Sequence, residues 1–255
     1  MSTSSDSARY VVGVDLGGTN IKTGVMPTDG SRTLAVRSTP THAELGAEGV
    51  IRRIIVQAEA SIAAAMAETG ATRDQFAGVG VGAPGPLDRE EGIVLIAPNL
   101  GWRDVPLRAL VSDALGMRAA LDNDANCATL GEWWVGAARG ARHVVGMTIG
   151  TGIGGGLVLH GRLYHGASGV AGEVGHATID SNGRRCACGN YGCLEAYASG
   201  PAIAERAREA LFGPLNSEVR RRAFRPAVEA CRIVPGILPG TAGVVGAVAT
   251  FLQQQ

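Results

Sequence analysis

Short β-branched runs alternate along the chain with longer stretches whose apolar residues recur at helical spacing. Tyr10–Asp15 and Ile21–Met26 read as strands on either side of a Gly-Gly turn, and Thr33–Ser38 reads as a third strand after a turn at Pro27–Gly30. From Gly49 to Thr69, apolar residues fall at Val50, Ile51, Ile54, Ile55, Ala58, Ile62 and Met66, the pattern of one helix face, and Gly70 is its stop. Phe76–Val81 reads as a buried strand running into the turn Gly82-Ala83-Pro84-Gly85-Pro86. Pro106–Leu115 reads as a helix entered by proline, and Arg118–Leu121 as a short strand. The second half opens with a helix over Ala125–Ala138. Strands at His143–Ile149 and Gly155–His160 follow, joined around Gly150-Thr151-Gly152, and then a cysteine-rich loop from Asp180 to Cys193. Helical patterns return over Ala202–Leu211, over Glu218–Arg225 with Pro226 as the stop, and over Ala242–Leu252. Each half thus begins with a strand–Gly turn–strand unit, and the alternation of strands and helices marks an α/β class.

Composition narrows the function. Hydrophobic residues make up 45% of the 255, which excludes intrinsic disorder. The 23 Lys+Arg balance 23 Asp+Glu, so the basic excess of a nucleic-acid or anionic-membrane binder is missing and neither partner is expected. No stretch reaches the roughly 18–20 unbroken apolar residues of a membrane span. Met1–Arg9 is Ser-rich without an apolar core, so the expected location is the cytoplasm. Glycine, at 38 residues, is about twice as frequent as usual. In a chain with a core, this implies many tight turns and places of close backbone approach.

Four segments carry candidate chemistry. Asp15-Leu16-Gly17-Gly18-Thr19-Asn20-Ile21-Lys22 lies between two predicted strands, where its glycines can present N–H groups to an anion and Asp15 can hold a magnesium ion. Taken alone, it is equally a β-hairpin turn with a structural aspartate. Gly150-Thr151-Gly152-Ile153-Gly154-Gly155-Gly156 repeats the design with more glycine than a hairpin turn requires. No Gly-x-x-x-x-Gly-Lys-Ser/Thr occurs, and Pro84-Gly85-Pro86 follows Gly78–Ala83 where a dinucleotide fold would open its helix. Asp122-Asn123-Asp124-Ala125-Asn126 puts two acids and two amides at a strand-to-helix junction. Either acid can simply cap the helix, or one can serve as the base for an attacking hydroxyl while Asn123 bonds the same substrate. Finally, His176 with Cys186, Cys188 and Cys193 makes the Cys₃His set of a closed structural zinc, which suits zinc better than an iron–sulfur cluster. Glu173 and Glu195 flank that set, and the lone Cys127 and Cys231 read as core residues.

Together these motifs resemble the ROK family of sugar kinases, and the likeness is strongest to its bacterial glucokinases. It rests on Asp15-x-Gly17-Gly18-Thr19-x-x-Lys22, Asn123-Asp124-Ala125-Asn126, the Gly150–Gly156 loop, Glu173-Val174-Gly175-His176, and Cys186-x-Cys188-Gly189-x-x-Gly192-Cys193-Leu194-Glu195, in that order, between about Val11 and Leu211. The resemblance implies a two-domain actin/hexokinase-like (ribonuclease H-like) α/β fold with substrate in the interdomain cleft. A smaller domain would take residues 1–122 plus 240–255, and a larger one 123–239. It implies ATP-dependent phosphorylation of a hexose, glucose first, at the 6-hydroxyl, with Asp124 as general base. Asn123, Glu173, His176 and Glu195 would bind sugar, and Asn99 of the Pro98-Asn99-Leu100 segment would stand on the same side. Gly17, Gly18, Thr19, Lys22, Thr151 and Gly152 would serve ATP, with Asp15 near Mg²⁺. His176, Cys186, Cys188 and Cys193 would hold structural Zn²⁺. A homodimer is usual for such proteins.

The chain departs from that family at one place. After Leu211 the sequence passes directly to Phe212-Gly213-Pro214-Leu215-Asn216-Ser217, where relatives carry a helix, a strand and a Gly-rich loop on the adenosine side. We expect an internal truncation near residues 211–216 that removes part of the larger domain. A non-catalytic sugar-binding or regulatory remnant is therefore the alternative, and a donor without adenosine, such as polyphosphate, a third reading. The family's repressor branch is disfavoured because Asp15 leaves no room before it for a helix-turn-helix.

Overall fold

A computed structural model describes residues 9–199 and 208–254, without the side chains of 208–213. The first half is built on a five-stranded sheet of order β3-β2-β1-β4-β8, formed by β1 (Tyr10–Leu16), β2 (Asn20–Pro27), β3 (Leu34–Pro40), β4 (Phe76–Ala83) and β8 (Ala119–Asn123). β1 and β2 form an antiparallel hairpin, whereas β4 and β8 run parallel to β1. A small antiparallel sheet of β5 (Leu87–Asp88), β6 (Ile93–Ala97) and β7 (Trp102–Val105) inserts after β4. The sequence pattern did not predict it, because its strands are two to five residues long and show no clear alternation. In the second half, β9 (Val144–Ile149), β10 (Ile153–Leu159) and β11 (Arg162–Leu163) form an antiparallel meander.

β1 is apolar at successive positions because both its faces are buried. Val12, Val14 and Leu16 face the cluster formed with α1 (Gly46–Thr69), which also takes in Val50, Ile54, Ala58 and Ile62. Val11 points the other way, toward Val245, Val248 and Phe251 of the C-terminal helix (Ala242–Gln253). α1 ends where predicted, at a left-handed Gly70 (φ 73°). α2 (Leu107–Leu115) follows Pro106, and α3 (Asp124–Trp134) follows β8 directly. α3 stops four residues short of expectation because the Glu132 carboxylate turns the chain back, accepting N–H groups from Ala137, Ile237 and Leu238.

The C-terminal part departs further from the pattern. A one-turn α4 (Glu195–Ala198) closes the cysteine loop. The helix expected over Ala202–Leu211 lies mostly outside the described residues. Beyond it, α5 (Arg208–Arg222) runs unbroken across the gap between the helical patterns expected over Ala202–Leu211 and Glu218–Arg225, with Pro214 inside it. Pro226 starts the short α6 (Arg225–Ala230) rather than stopping a helix, since a first-turn proline lacks only an N–H that would have no partner there. Cys231 is exposed, not in the core, whereas Cys127 is fully buried. The C-terminal helix is α7. Among the described residues, no helix is long and apolar enough to cross a membrane.

Much of the glycine surplus is spent at α7. A side chain on Gly13 of β1 would strike the carbonyl of Val244, and one on Gly80 of β4 the carbonyl of Ala247. On the helix's other flank, a Cβ on Gly131 of α3 would lie 2.5 Å from Ala242 O, and one on Gly246 would meet Cys127 O. Backbone therefore rests on backbone, and no rotamer change can relieve an added methyl. We predict that Gly246→Ala lowers the melting temperature by roughly 5–10 °C. Gly150→Ala, whose Cβ would have no atom within 4 Å, should leave it nearly unchanged in the same calorimetric scan.

Candidate active site and metal centre

The parallel pairing of β1, β4 and β8 puts Asp15, Gly82 and Asp122 in one row across the sheet at its carboxyl edge. That edge is where open α/β sheets bind ligands. α3 then crosses back over Gly82, so that the Cα of Asp124 lies 3.5 Å from where a Cβ on Gly82 would be. The cap of this helix is neither acid but Asn123, whose Oδ1 accepts N–H bonds from Ala125 (2.9 Å) and Asn126 (3.2 Å). Asp122 takes no part in the cap, and Asp124 keeps one first-turn bond, its Oδ1 accepting the Ala125 N–H at 2.8 Å. The Asn123 amide also donates to Gly85 O at 3.4 Å.

Asp124 is an unusual carboxylate. Burial pushes its pKa up to about 6, with Asp15 and Glu173 adding to the rise and the Ala125 N–H opposing it. Asp15 is itself raised by burial and lowered in part by Lys22, its neighbour across the β1–β2 ladder. Three acids thus share one space, two of them held above their ordinary range.

Both glycine turns reach this space. In the first, Gly17 N–H bonds Asn20 O, and Thr41 clasps the turn from outside through Gly17 O and Thr19 O, leaving Thr19 exposed. Asn99, itself exposed, stands directly over Gly18, its amide nitrogen 2.7 Å from a Cβ built there, so it meets the first glycine turn. The Lys22 ammonium lies beside Gly240 at the entrance to α7. The second turn packs on the helix that begins with Asp124: a Cβ on Gly154 would sit 2.8 Å from the Ala125 side chain. Thr151 at its tip is exposed, and Gly152 lies against Glu195. Glu195 accepts the Ile153 N–H at 2.9 Å, a hairpin contact that sequence reasoning had not assigned it.

A short 3₁₀ turn at Val174–His176 docks on β10 through Gly175, which approaches the Ile153 carbonyl too closely for any side chain. His176 presents Nδ1 to Cys186 Sγ at 3.8 Å and Nε2 to Glu173 at 3.9 Å. Cys188 and Cys193 are 3.7 Å apart, and all four ligand atoms lie within 4.8 Å of one another. Tetrahedral zinc with Zn–S near 2.3 Å requires sulfurs about 3.8 Å apart, so the donor set fits zinc in chemistry and size. Asn190 N–H lowers the Cys188 thiol below its usual range, toward the ligating thiolate.

The structure therefore gathers Asp15, Gly17, Gly18, Thr19, Lys22, Asn99, Asn123, Asp124, Thr151, Gly152, Glu173, His176 and Glu195 into linked segments around one edge of the sheet. It also reveals partners that no local motif announces. Arg89 and His165 both bind Asp122, from 33 and 43 residues away.

Residues 11–233 match the ROK family model. The glucokinase of Thermotoga maritima is 44% identical over 200 residues, which are 78% of this chain and 60% of that protein. The chain thus spans less than two thirds of the length of the curated relatives it matches. The ROK hexokinase of Thermus thermophilus superimposes with a TM-score of 0.72 at 32% identity, covering 96% of this chain and 99% of that one. A ROK family glucokinase from Streptomyces griseus, solved with glucose and AMPPNP, gives 0.70 at 29% identity, covering 96% and 100%.

The donor geometry predicts one zinc per chain by metal analysis. Cys188→Ser and Cys193→Ser should each release it at neutral pH and lower the melting temperature, and added zinc should not restore either variant.

Proposed function

The chain belongs to the ROK family, and on that footing we propose that it is a sugar kinase moving the γ-phosphoryl group of ATP to the 6-hydroxyl of a hexose, with glucose the leading substrate. The observation that carries this reading is Asp124, a carboxylate pushed up to about 6 by burial and by the charges of Asp15 and Glu173, at the start of a helix whose Ala125 packs on the second glycine hairpin. A base near this pKa is ionised at neutral pH yet still basic enough to take a hydroxyl proton in the transition state.

In the proposed reaction, Glu173, Glu195, Asn123, Asn99 and the Nε2 edge of His176 orient the sugar. Asp124 accepts the proton of the 6-hydroxyl as its oxygen bonds to the γ-phosphorus, and the bond to the β-phosphate oxygen breaks to release ADP. N–H groups of Gly18 and Gly152, the hydroxyls of Thr19 and Thr151, and the Lys22 charge would receive phosphate oxygens, while Gly17, its N–H bonded to Asn20 O, would shape the turn. Asp15 would hold Mg²⁺, which neutralises the phosphates when bound. Zinc on His176, Cys186, Cys188 and Cys193 would have no open position, and its part would be to fix His176 and the loop that leads to Glu195.

One feature favours a second reading, a sugar-binding regulator without donor chemistry. Among the described residues β9 is an edge strand, and its Val145, Met147 and Ile149 are exposed, 68% in the first case. These residues alternate along the strand and so line one uncovered face of the sheet, and an adenosine site built on a layer covering that face would be missing with it. Titration calorimetry separates the two: heat with glucose but none with ATP·Mg²⁺ or polyphosphate selects the regulator.

For the kinase, a coupled assay with glucose, ATP and Mg²⁺ should show turnover, and Asp124→Asn should lower kcat by about 1,000-fold while sugar still binds. Because the base must be unprotonated, kcat/KM should fall about tenfold per pH unit below pH 6 and level off above it. The stability consequence has the opposite sense. A carboxyl raised in the folded state favours folding while protonated, and that stabilisation is lost as pH rises from the usual carboxylate range through about 6. Asp124→Asn should therefore melt higher than the parent at pH 8 and no higher at pH 4.

A further inference from the structure

Asp122 is 1% exposed, yet it is a charged group on the strand that delivers the base. Such a charge persists only where it is fully paired, and this one has four partners. Oδ1 accepts the Asn123 N–H at 2.8 Å and the Asn126 side-chain amide at 3.1 Å. Oδ2 accepts Arg89 Nε at 3.1 Å and meets His165 Nε2 at 2.8 Å. Burial pushes the carboxyl up, but His165, Arg89 and the Asn123 N–H outweigh it and hold Asp122 below its ordinary range.

The two sides of the carboxylate have different addresses. The Oδ1 partners bracket Asp124, one residue before it and two after. The Oδ2 partners lie on separate segments. Arg89 sits in the β5–β6 turn, whose carbonyls at 89 and 90 are gripped by Arg108 of α2. His165 follows β11, and its carbonyl accepts the Ala171 N–H at 3.0 Å, closing the loop that leads to Gly172, which lies on Gly155, and then to Glu173. The chain from Asp122 through His165 therefore returns to the same space at Glu173, which acts electrostatically on Asp124. A cavity of about 80 Å³ flanks the cluster, lined by Arg89, Leu163, His165, Thr250 and Gln254 besides Asp122, so apolar packing does not hold these segments together in its place. Helix capping does not explain Asp122 either, because Asn123 performs it.

We propose that Asp122 is a positioning residue which, through His165, holds the sugar-side loop 165–173 at a fixed distance from the turn bearing Asp124. Its kinetic consequences rest on the kinase reading, whereas the tether itself does not.

The test uses the full chain and four variants: His165→Ala, which removes the tether; His165→Gln, which keeps a side-chain donor; Asp122→Asn; and the double Asp122→Asn/His165→Ala. Hydrogen exchange followed by mass spectrometry should show peptides covering 165–173 exchanging at least about tenfold faster in His165→Ala, with His165→Gln close to the parent. With turnover, His165→Ala should raise the sugar KM about tenfold at nearly unchanged kcat, and Asp122→Asn should lower kcat as well. The double variant should be no worse than Asp122→Asn alone, since His165 acts through its contact with Asp122. Unchanged exchange at 165–173 in His165→Ala, failure of Gln to rescue it, or fully additive losses in the double variant would overturn the tether. If the parent turns over no sugar, the kinase reading fails while the exchange result still decides the tether. Should Asp122→Asn not fold, the two His165 variants decide it alone.

Discussion

Close backbone contact between α7 and its neighbours is the constraint on which the site depends. Gly13 and Gly80 let the helix lie directly on β1 and β4, and Gly131 and Gly246 let α3 lie directly on the helix. β1 ends in Asp15 and the first glycine turn, while α3 begins with Asp124. A helix that bears on both at backbone distance fixes the separation of these two functional ends more rigidly than side-chain packing would, because there are no rotamers in the contact to yield. Gly243 extends the same device to the site itself, since a Cβ there would lie 2.5 Å from the Asp15 carboxyl.

The electrostatic design sets two kinds of buried acid side by side. Asp122 is surrounded by donors and stays ionised, a structural charge. Asp15 and Asp124 have few donors, so burial raises both, and the charges of Asp15 and Glu173 add to the rise at Asp124. Neighbouring residues of one strand end, 122 and 124, thus hold opposite titration behaviour through their partners alone.

The cysteine cluster and the second hairpin are joined through Glu195. One of its oxygens accepts the Ile153 N–H, and the other lies 3.7 Å from Cys186 Sγ. The geometry of the cysteine loop is therefore tied to the glycine hairpin through a single side chain, and His176 turns one ring nitrogen to the cluster and the other to Glu173.

Local order was largely legible in the sequence. The periodicity of Val50 to Met66, the glycine stop at Gly70, the apolar runs of β1 and β4, and the spacing of His176 with three cysteines depend on neighbours within a few turns, and each appears in the structure close to its expected place. What the sequence could not decide was every feature that needs a distant partner. The small β5–β7 sheet forms from strands too short to signal themselves, and Pro214 is carried inside a helix that its local pattern would have broken. Asn123 rather than an aspartate caps α3, and the fate of Asp122 depends on Arg89 and His165, which reach it from other segments. Chain patterning encodes which surfaces must be covered, since burial follows local periodicity. Only the assembled fold determines which charges meet, because Coulombic and hydrogen-bond energies depend on separation in space and are indifferent to separation along the chain.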